Sequence, residues 1–145
     1  NELLARLDTI DAIVLGSPVY YAAPAGQLTA FLDRLFFAGG YSGGNRMAGK
    51  LGACVVSCRR GGASAAFDRL NKYFTISNMP IISSQYWNQV HGNTPDEVRQ
   101  DEEGLQTMRT LGENMAWLLK CIDLGRRLGI PSPEYETPLR TNFIR

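Results

Sequence analysis

Two short apolar runs constrain this chain more than any other feature: Ala12-Ile13-Val14-Leu15-Gly16 and Gly52-Ala53-Cys54-Val55-Val56-Ser57-Cys58. Both are continuous and rich in small and branched residues. Bounded by turn and helix signals, such runs read as strands buried on both faces, as in a parallel sheet. A third run, Pro80-Ile81-Ile82-Ser83-Ser84, reads as another strand, with proline at its first residue, where it is tolerated. Amphipathic stretches fill the gaps. Glu2 to Leu7 is the tail end of a helix. Gly26 to Phe37 carries an inner stripe of Leu28, Phe31, Leu32 and Leu35, and Ala63 to about Ser77 turns Phe67, Leu70 and Phe74 inward. Thr94 followed by Glu97 forms a capping box ahead of a long helical stretch. That stretch is expected to break near Gly104, continue through Met108, Leu111, Met115, Leu118, Leu119 and Ile122, and end at Gly125 to Gly129. Ser17 to Ala25, Gly39 to Gly49 and Gln85 to Thr94 read as loops. Strands alternating with helices make an α/β domain, with a parallel sheet and helices on both faces.

The length of 145 residues fits one domain, by the usual span of about 100–200 residues. A chain of this size buries roughly two-thirds of its surface and needs neither disulfides nor metals to hold a core. A net charge of +1 argues against a nucleic acid or an anionic membrane as partner. No apolar run approaches the roughly 20 residues of a membrane span. Cys54, Cys58 and Cys121 are odd in number, and the first two are too far apart along an extended chain to bond. No cysteine or histidine cluster has the spacing of metal ligands, so no metal site is assigned. A reducing cytoplasm is the simplest home, and no signal-peptide pattern is present. The chain opens at Asn1, inside an amphipathic pattern, so a preceding portion is expected.

In an open α/β sheet, ligands bind outside the carboxyl ends of the strands, which singles out three loops. The first holds Ser17, Pro18, Val19, Tyr20 and Tyr21: a stiffened turn followed by apolar and aromatic side chains on which a planar ring can stack. An ordinary loop whose tyrosines cover the sheet edge is an equal reading of the same residues. The second holds Arg59, Arg60, Gly61 and Gly62 before a helix, where amides and the helix dipole favour negative charge. A solvated basic turn is the plain alternative. Beside it, Cys58 lacks a base in sequence and reads as an inert thiol. The third concentrates Tyr86, Trp87, Asn88, Gln89 and His91, the only histidine. His91 reads either as a surface residue or as a proton donor or substrate contact. No nucleophile elbow, dinucleotide fingerprint or phosphate-loop motif is present.

At these loops the chain resembles a known family. Ser17-Pro18-Val19-Tyr20-Tyr21, then Gly26-Gln27-Leu28 to Phe31-Leu32-Asp33-Arg34, resembles the third strand, flavin loop and following helix of the flavodoxin-like NAD(P)H-dependent FMN reductases. That group includes relatives of the iron–sulfur flavoproteins. Val55-Val56-Ser57 with Arg59-Arg60-Gly61-Gly62 is similar to the loop after strand four. Pro80 to Trp87 is similar to strand five and the loop beyond. The resemblance spans about residues 2–125 and leaves 126–145 as a C-terminal extension.

It implies a three-layer flavodoxin-like sandwich of which only strands 3–5 of the usual five, ordered 2-1-3-4-5, are in this chain. Ser17, Pro18, Val19, Tyr20 and Tyr21 would wrap the isoalloxazine of FMN. Arg59, Arg60, Gly61 and Gly62 would approach its other edge, with Trp87 and His91 on the substrate side. The chain is then expected to be the C-terminal portion of a longer protein, or to receive its missing strands from another chain. Its strand Ala12–Gly16 would carry a bare apolar edge, with weak FMN binding and poor stability in isolation. The implied activity is electron transfer from NAD(P)H through FMN to a small acceptor: a quinone, flavin, nitro or azo compound, or metal ion. A homodimer or homotetramer is expected. A flavodoxin-type electron carrier and a flavin-free protein-interaction domain are the rival readings.

Overall fold

A computed structural model describes residues 2–41 and 44–143. The elements run α1 (Glu2–Ala5), a short 3-10 turn (Leu7–Thr9), β1 (Ala12–Tyr20), β2 (Ala23–Pro24), α2 (Gly26–Tyr41), β3 (Leu51–Cys58), α3 (Ala63–Ile76), β4 (Gln89–His91), α4 (Pro95–Val98) and α5 (Glu102–Arg127). The sheet order is β2-β1-β3-β4. β1 and β3 pair in parallel from Ala12 opposite Leu51 to Pro18 opposite Ser57. β3 and β4 are also parallel, with Val56 opposite Gln89 and Cys58 opposite His91.

Alternation along β3 divides the core in two. Cys54, Val56 and Cys58 face Leu32, Leu35 and Phe36 of α2 and Ala66, Leu70 and Phe74 of α3. Leu51, Ala53 and Val55 face Leu111, Met115, Leu118 and Ile122 of α5. The result is the expected α/β sandwich with an open, mostly parallel sheet. α5 stops in a Schellman turn: Gly129 has φ 80°, its N–H bonds the Arg126 carbonyl, and the Ile130 N–H bonds the Gly125 carbonyl. From there to Phe143 the chain has no regular structure, and Ile144 and Arg145 lie outside the described residues. Among the described residues no helix is long and apolar enough to cross a membrane.

Four details depart from the expectations. Ser17 to Ala25 is not a loop: β1 continues to Tyr20, turns through Tyr21 and Ala22, and returns as β2, with Val19 opposite Pro24 and Tyr20 opposite Ala23. Pro18 lies opposite Ser57 of β3, and on the other side of β1 pairing with β2 begins only at Val19, so that side has no strand partner at Pro18. α2 runs through Gly39 and Gly40, which were expected to begin a loop. Gly39 serves close packing instead, since a Cβ there would lie 2.8 Å from Met47 Cε and 3.0 Å from Leu7 Cδ1. Of that expected loop, Ser42 and Gly43 lie outside the described residues. The helical break falls between Val98 and Glu102 rather than at Gly104.

The fourth departure is the third strand. Pro80–Ser84 makes only a single parallel bridge, Ile81 opposite Gly52. The regular strand is Gln89–His91, inside the expected Gln85–Thr94 loop. From Ile81 to Gln89 the chain takes eight residues to cover what β3 covers in four, Gly52 to Val56. The surplus forms an excursion closed by the Ser84 hydroxyl, which lies 2.6 Å from Asn88 Oδ1 and 2.7 Å from the Tyr86 carbonyl. Gln85 and Ser83 tie it to Gln106, Thr110 and Asn114 of α5. Asn88 is only 2% exposed and its carbonyl accepts the Val56 N–H, so the chain rejoins the sheet there.

The open edge expected on β1 is present. Among the described residues, β1 pairs beyond β3 only through Val19 and Tyr20 with β2, and Val14 is 55% exposed. Inside the core, Gly52 is the closest approach of sheet and helix: a Cβ there would sit 2.6 Å from the fully buried Phe74 ring. Gly52→Ala therefore forces the ring aside, and overpacking of this kind destabilises by about 1–3 kcal/mol. Urea unfolding checks it, as a lowered midpoint with an unchanged slope.

Candidate functional site

The carboxyl ends of β1, β3 and β4 lie side by side, and each leads into one segment of the candidate site. After β1 comes the hairpin turn. Tyr21 and Ala22 have φ of 50° and 57°, the left-handed values of a tight two-residue turn that asparagine and glycine usually supply. The stem is fixed from below. Ser17 is buried, and its hydroxyl accepts the Ala25 N–H at 2.9 Å and donates to the Pro18 carbonyl at 2.8 Å. That bond anchors the start of α2 to the foot of the hairpin. Val19 packs on the core, while the rings of Tyr20 and Tyr21 are exposed.

After β3 comes Arg59-Arg60-Gly61-Gly62. Gly62 caps α3 with φ 90° and no side-chain hydrogen bond, so the first-turn amides of α3 lack a side-chain acceptor. A Cβ on Gly62 would lie 2.8 Å from Ala22 Cα and 3.2 Å from a Val19 methyl. The two loops singled out by sequence therefore touch, and glycine is what lets them. Around Gly61 there is open space. Arg59 and Arg60 are exposed, and neither pairs with a carboxylate among the described residues. Two free guanidinium groups and an uncapped helix start place positive potential beside exposed aromatic rings. This donor set fits a flat ring with an electron-rich edge, as an isoalloxazine is. Cys58 is buried at the end of β3. Cys54 is buried too, and burial, with Asp68 nearby, pushes its thiol up to about 12, so it is no nucleophile at neutral pH.

The third segment splits. His91 ends β4 opposite Cys58, one residue before Arg59, and so stands at the rim of the site. Trp87 precedes β4, at the strand's other end, where its ring packs at a tilt of 51° against Tyr86 with centroids 4.9 Å apart. His91, Gln89 and Tyr86 line a cleft of about 240 Å³ together with Asp101, Gly104 and Thr107 of the α5 start. Gln89 Oε1 is buried there without a hydrogen-bond partner. A larger cavity of about 500 Å³ lies at the opposite end of the sheet, between Lys50, Pro80, Arg126 and Tyr135. It is remote from the strand ends where these loops converge.

Asp101 organises this rim and was not singled out by sequence; its signal was an aspartate just ahead of Glu102-Glu103 at a helix start. Its carboxylate accepts the His91 N–H at 2.7 Å and the Gly104 N–H at 3.0 Å, and lies 3.8 Å from His91 Nδ1. Burial raises its pKa, but the two N–H groups and the His91 ring outweigh that and hold it below the ordinary 3.8. A depressed carboxylate contributes stability above its unfolded pKa and loses it as pH falls through the folded one. Acid unfolding followed by circular dichroism is expected to show this loss below about pH 4, and Asp101→Asn to flatten it. Gly62→Ala, strained by φ and by contact with Ala22, is expected to cost about 1–3 kcal/mol in denaturant unfolding.

Residues 1–94 match the family model of NADPH-dependent FMN reductases. An iron–sulfur flavoprotein of Methanocaldococcus jannaschii is 29% identical over 129 residues, which is 84% of this chain and 65% of that protein. The chain thus spans a little under two-thirds of the length of that curated relative. Among solved structures, the Trp repressor binding protein of Bacillus subtilis aligns over 79% of this chain and 72% of its own, at TM-score 0.59 and 14% identity. RosB, solved with 8-demethyl-8-formylriboflavin-5'-phosphate bound, aligns over 99% of this chain and 66% of its own, at TM-score 0.60 and 14% identity. At those identities the likeness is one of fold, and the fold is flavodoxin-like. With residues 1–94 matched by that family model, this chain belongs to the NADPH-dependent FMN reductase family.

Proposed function

We propose that this chain carries the ring-binding part of a flavin-dependent oxidoreductase that moves electrons from NAD(P)H through FMN to a small acceptor. The observation that carries the reading is the contact of Gly62 with Ala22, which joins the aromatic hairpin to the arginine loop at the carboxyl end of the sheet. Bound FMN would supply the two-electron chemistry. The chain's own residues do the rest. Ser17 fixes the foot of the hairpin, and Pro18 stiffens the strand end below it. Val19 and Tyr20 form one wall, and the amides of Gly61 and Gly62 approach from the other side. Arg59, Arg60 and the α3 start favour negative charge at the ring edge, and also suit the phosphate of a nicotinamide dinucleotide. His91 at the rim is placed to touch a second reactant. Trp87, at the far end of β4, is the weaker contact. The exposed arginines on this face disfavour the acidic docking surface of an electron carrier. A homodimer or homotetramer is the expected assembly, read out by sedimentation.

FMN titration followed by quenching of flavin fluorescence tests the reading, with NADPH oxidation measured on the loaded protein. Saturable uptake and NADPH consumption support it. Uptake without NADPH consumption makes the protein a carrier, and no uptake makes it an interaction domain. Removing a charged hydrogen bond loses about 1.5–3 kcal/mol. Arg59→Ala or Arg60→Ala is therefore expected to weaken FMN or NADPH at least about tenfold, and unchanged affinities in both variants count against the arginine role.

A further inference from the structure

α5 carries two apolar stripes where a helix that covers a sheet needs one. The inner stripe, Leu111, Met115, Leu118 and Ile122, packs on β3 and Ile82. The outer stripe is Trp117, Cys121, Leu124 and Leu128, about 120° round the helix from the first. Trp117 is 65% exposed, Leu124 57% and Leu128 72%, and Cys121 is exposed as well. Both stripes repeat at intervals of four, three and four residues, the spacing of a seam along which one helix packs on another. Over the first half of α5 the outer face is already covered, where Gln85 and Ser83 of the excursion bond Gln106, Thr110 and Asn114. Over the second half it is bare. The chain's own tail does not cover it, since Ile130 to Tyr135 turns to the cavity beside Lys50 and Pro80.

A bare seam of this spacing fits another helix of the same spacing, and α5 of a second copy is one. The seam matches itself when two copies run antiparallel about a two-fold axis. Trp117, its largest side chain, then lies opposite Cys121, its smallest. The same register brings Glu113 across from Arg127, because the flank of the seam changes sign along the helix, from Glu113 to Lys120 and Arg127. Two parallel copies would instead set Glu113 level with Glu113. Glu113 and Lys120 form no ion pair among the described residues, and Arg127 pairs with Asp123 of its own helix. We propose that the outer stripe of α5 is an antiparallel homodimer seam, occupied by the same stripe of a second copy. A seam of about 17 Å falls short of the roughly 800 Å² that each partner gives a standard interface, and Lys120 meets its own copy near the axis. The association is therefore micromolar and reversible. The proposal gives the homodimer expected above its surface, and it does not depend on the flavin.

The test uses sedimentation equilibrium of the full chain from about 1 to 200 μM, with alkylation of Cys121 by iodoacetamide followed over the same range. Cys54 and Cys58 are buried, so Cys121 is the reporter. The parent is expected to dimerise within the range, and Cys121 to react more slowly as it does. Trp117→Glu is expected to weaken the dimer at least about thirtyfold and to make Cys121 alkylation independent of concentration. Glu113→Arg is expected to weaken it about tenfold, and Glu113→Arg combined with Arg127→Glu to restore the parent affinity. Far-UV circular dichroism is expected to be the same in every variant, because all three positions are exposed. A parent that stays monomeric overturns the proposal and the homodimer expectation together. A dimer that survives Trp117→Glu overturns the proposal alone and moves the contact to another face, such as the free edge of β1. A double variant as weak as Glu113→Arg overturns the antiparallel seam.

Discussion

The site depends on β3 being held from every side. Leu51–Cys58 pairs with β1 along one edge and with Ile81 and β4 along the other, and both its faces are covered by helices. Parallel pairing requires such burial, because the crossover helices must lie on the faces. With β3 fixed, the register Pro18 opposite Ser57 sets how far each neighbouring strand runs past the sheet end. β1 overruns β3 and folds back, while β3 gives way to a basic turn. The hairpin therefore leans over the turn, and a residue without a side chain, Gly62, lies where they meet.

That arrangement separates two jobs. Rigidity comes from Ser17, from the Gly62 contact and from the core beneath, all buried or backed by neighbours. The side chains that their own fold leaves unoccupied, Tyr20, Tyr21, Arg59 and Arg60, are those to which the proposed reading assigns the chemistry. Asp101 plays the corresponding supporting part at the rim, where one carboxylate both starts α5 and holds the backbone of His91. Losing either kind of residue has a different signature, one in stability and the other in affinity.

The fold was legible wherever burial is two-sided or one-faced. β1 and β3 showed as unbroken apolar runs, and α2, α3 and the long α5 as stripes, because each must hide a defined face. That the segments after β1 and β3 meet at one end of the sheet was legible too, since it follows from where parallel strands end. What was not legible depends on partners distant in sequence. β4 is short and half-buried, so Gln89-Val90-His91 shows no apolar run. The hairpin lacks the asparagine and glycine that announce such a turn, because Tyr21 stands there against backbone preference. Gly39 and Gly40 looked like a loop, yet Gly39 is there to let α2 approach Met47 and Leu7. No local pattern distinguishes a glycine that bends the chain from one that brings two surfaces close.

The excursion between Ile81 and Gln89 has a consequence for chain length. Between the bridge of Ile81 to Gly52 and the pairing of Gln89 with Val56 the chain has no strand geometry, so the period of two that fixes side chains within a sheet does not bind it. Residues added there lengthen the excursion, while the bond of the Val56 N–H to the Asn88 carbonyl sets the register at which the chain rejoins the sheet. The segment is a length-tolerant joint, set ahead of the strand that borders the site.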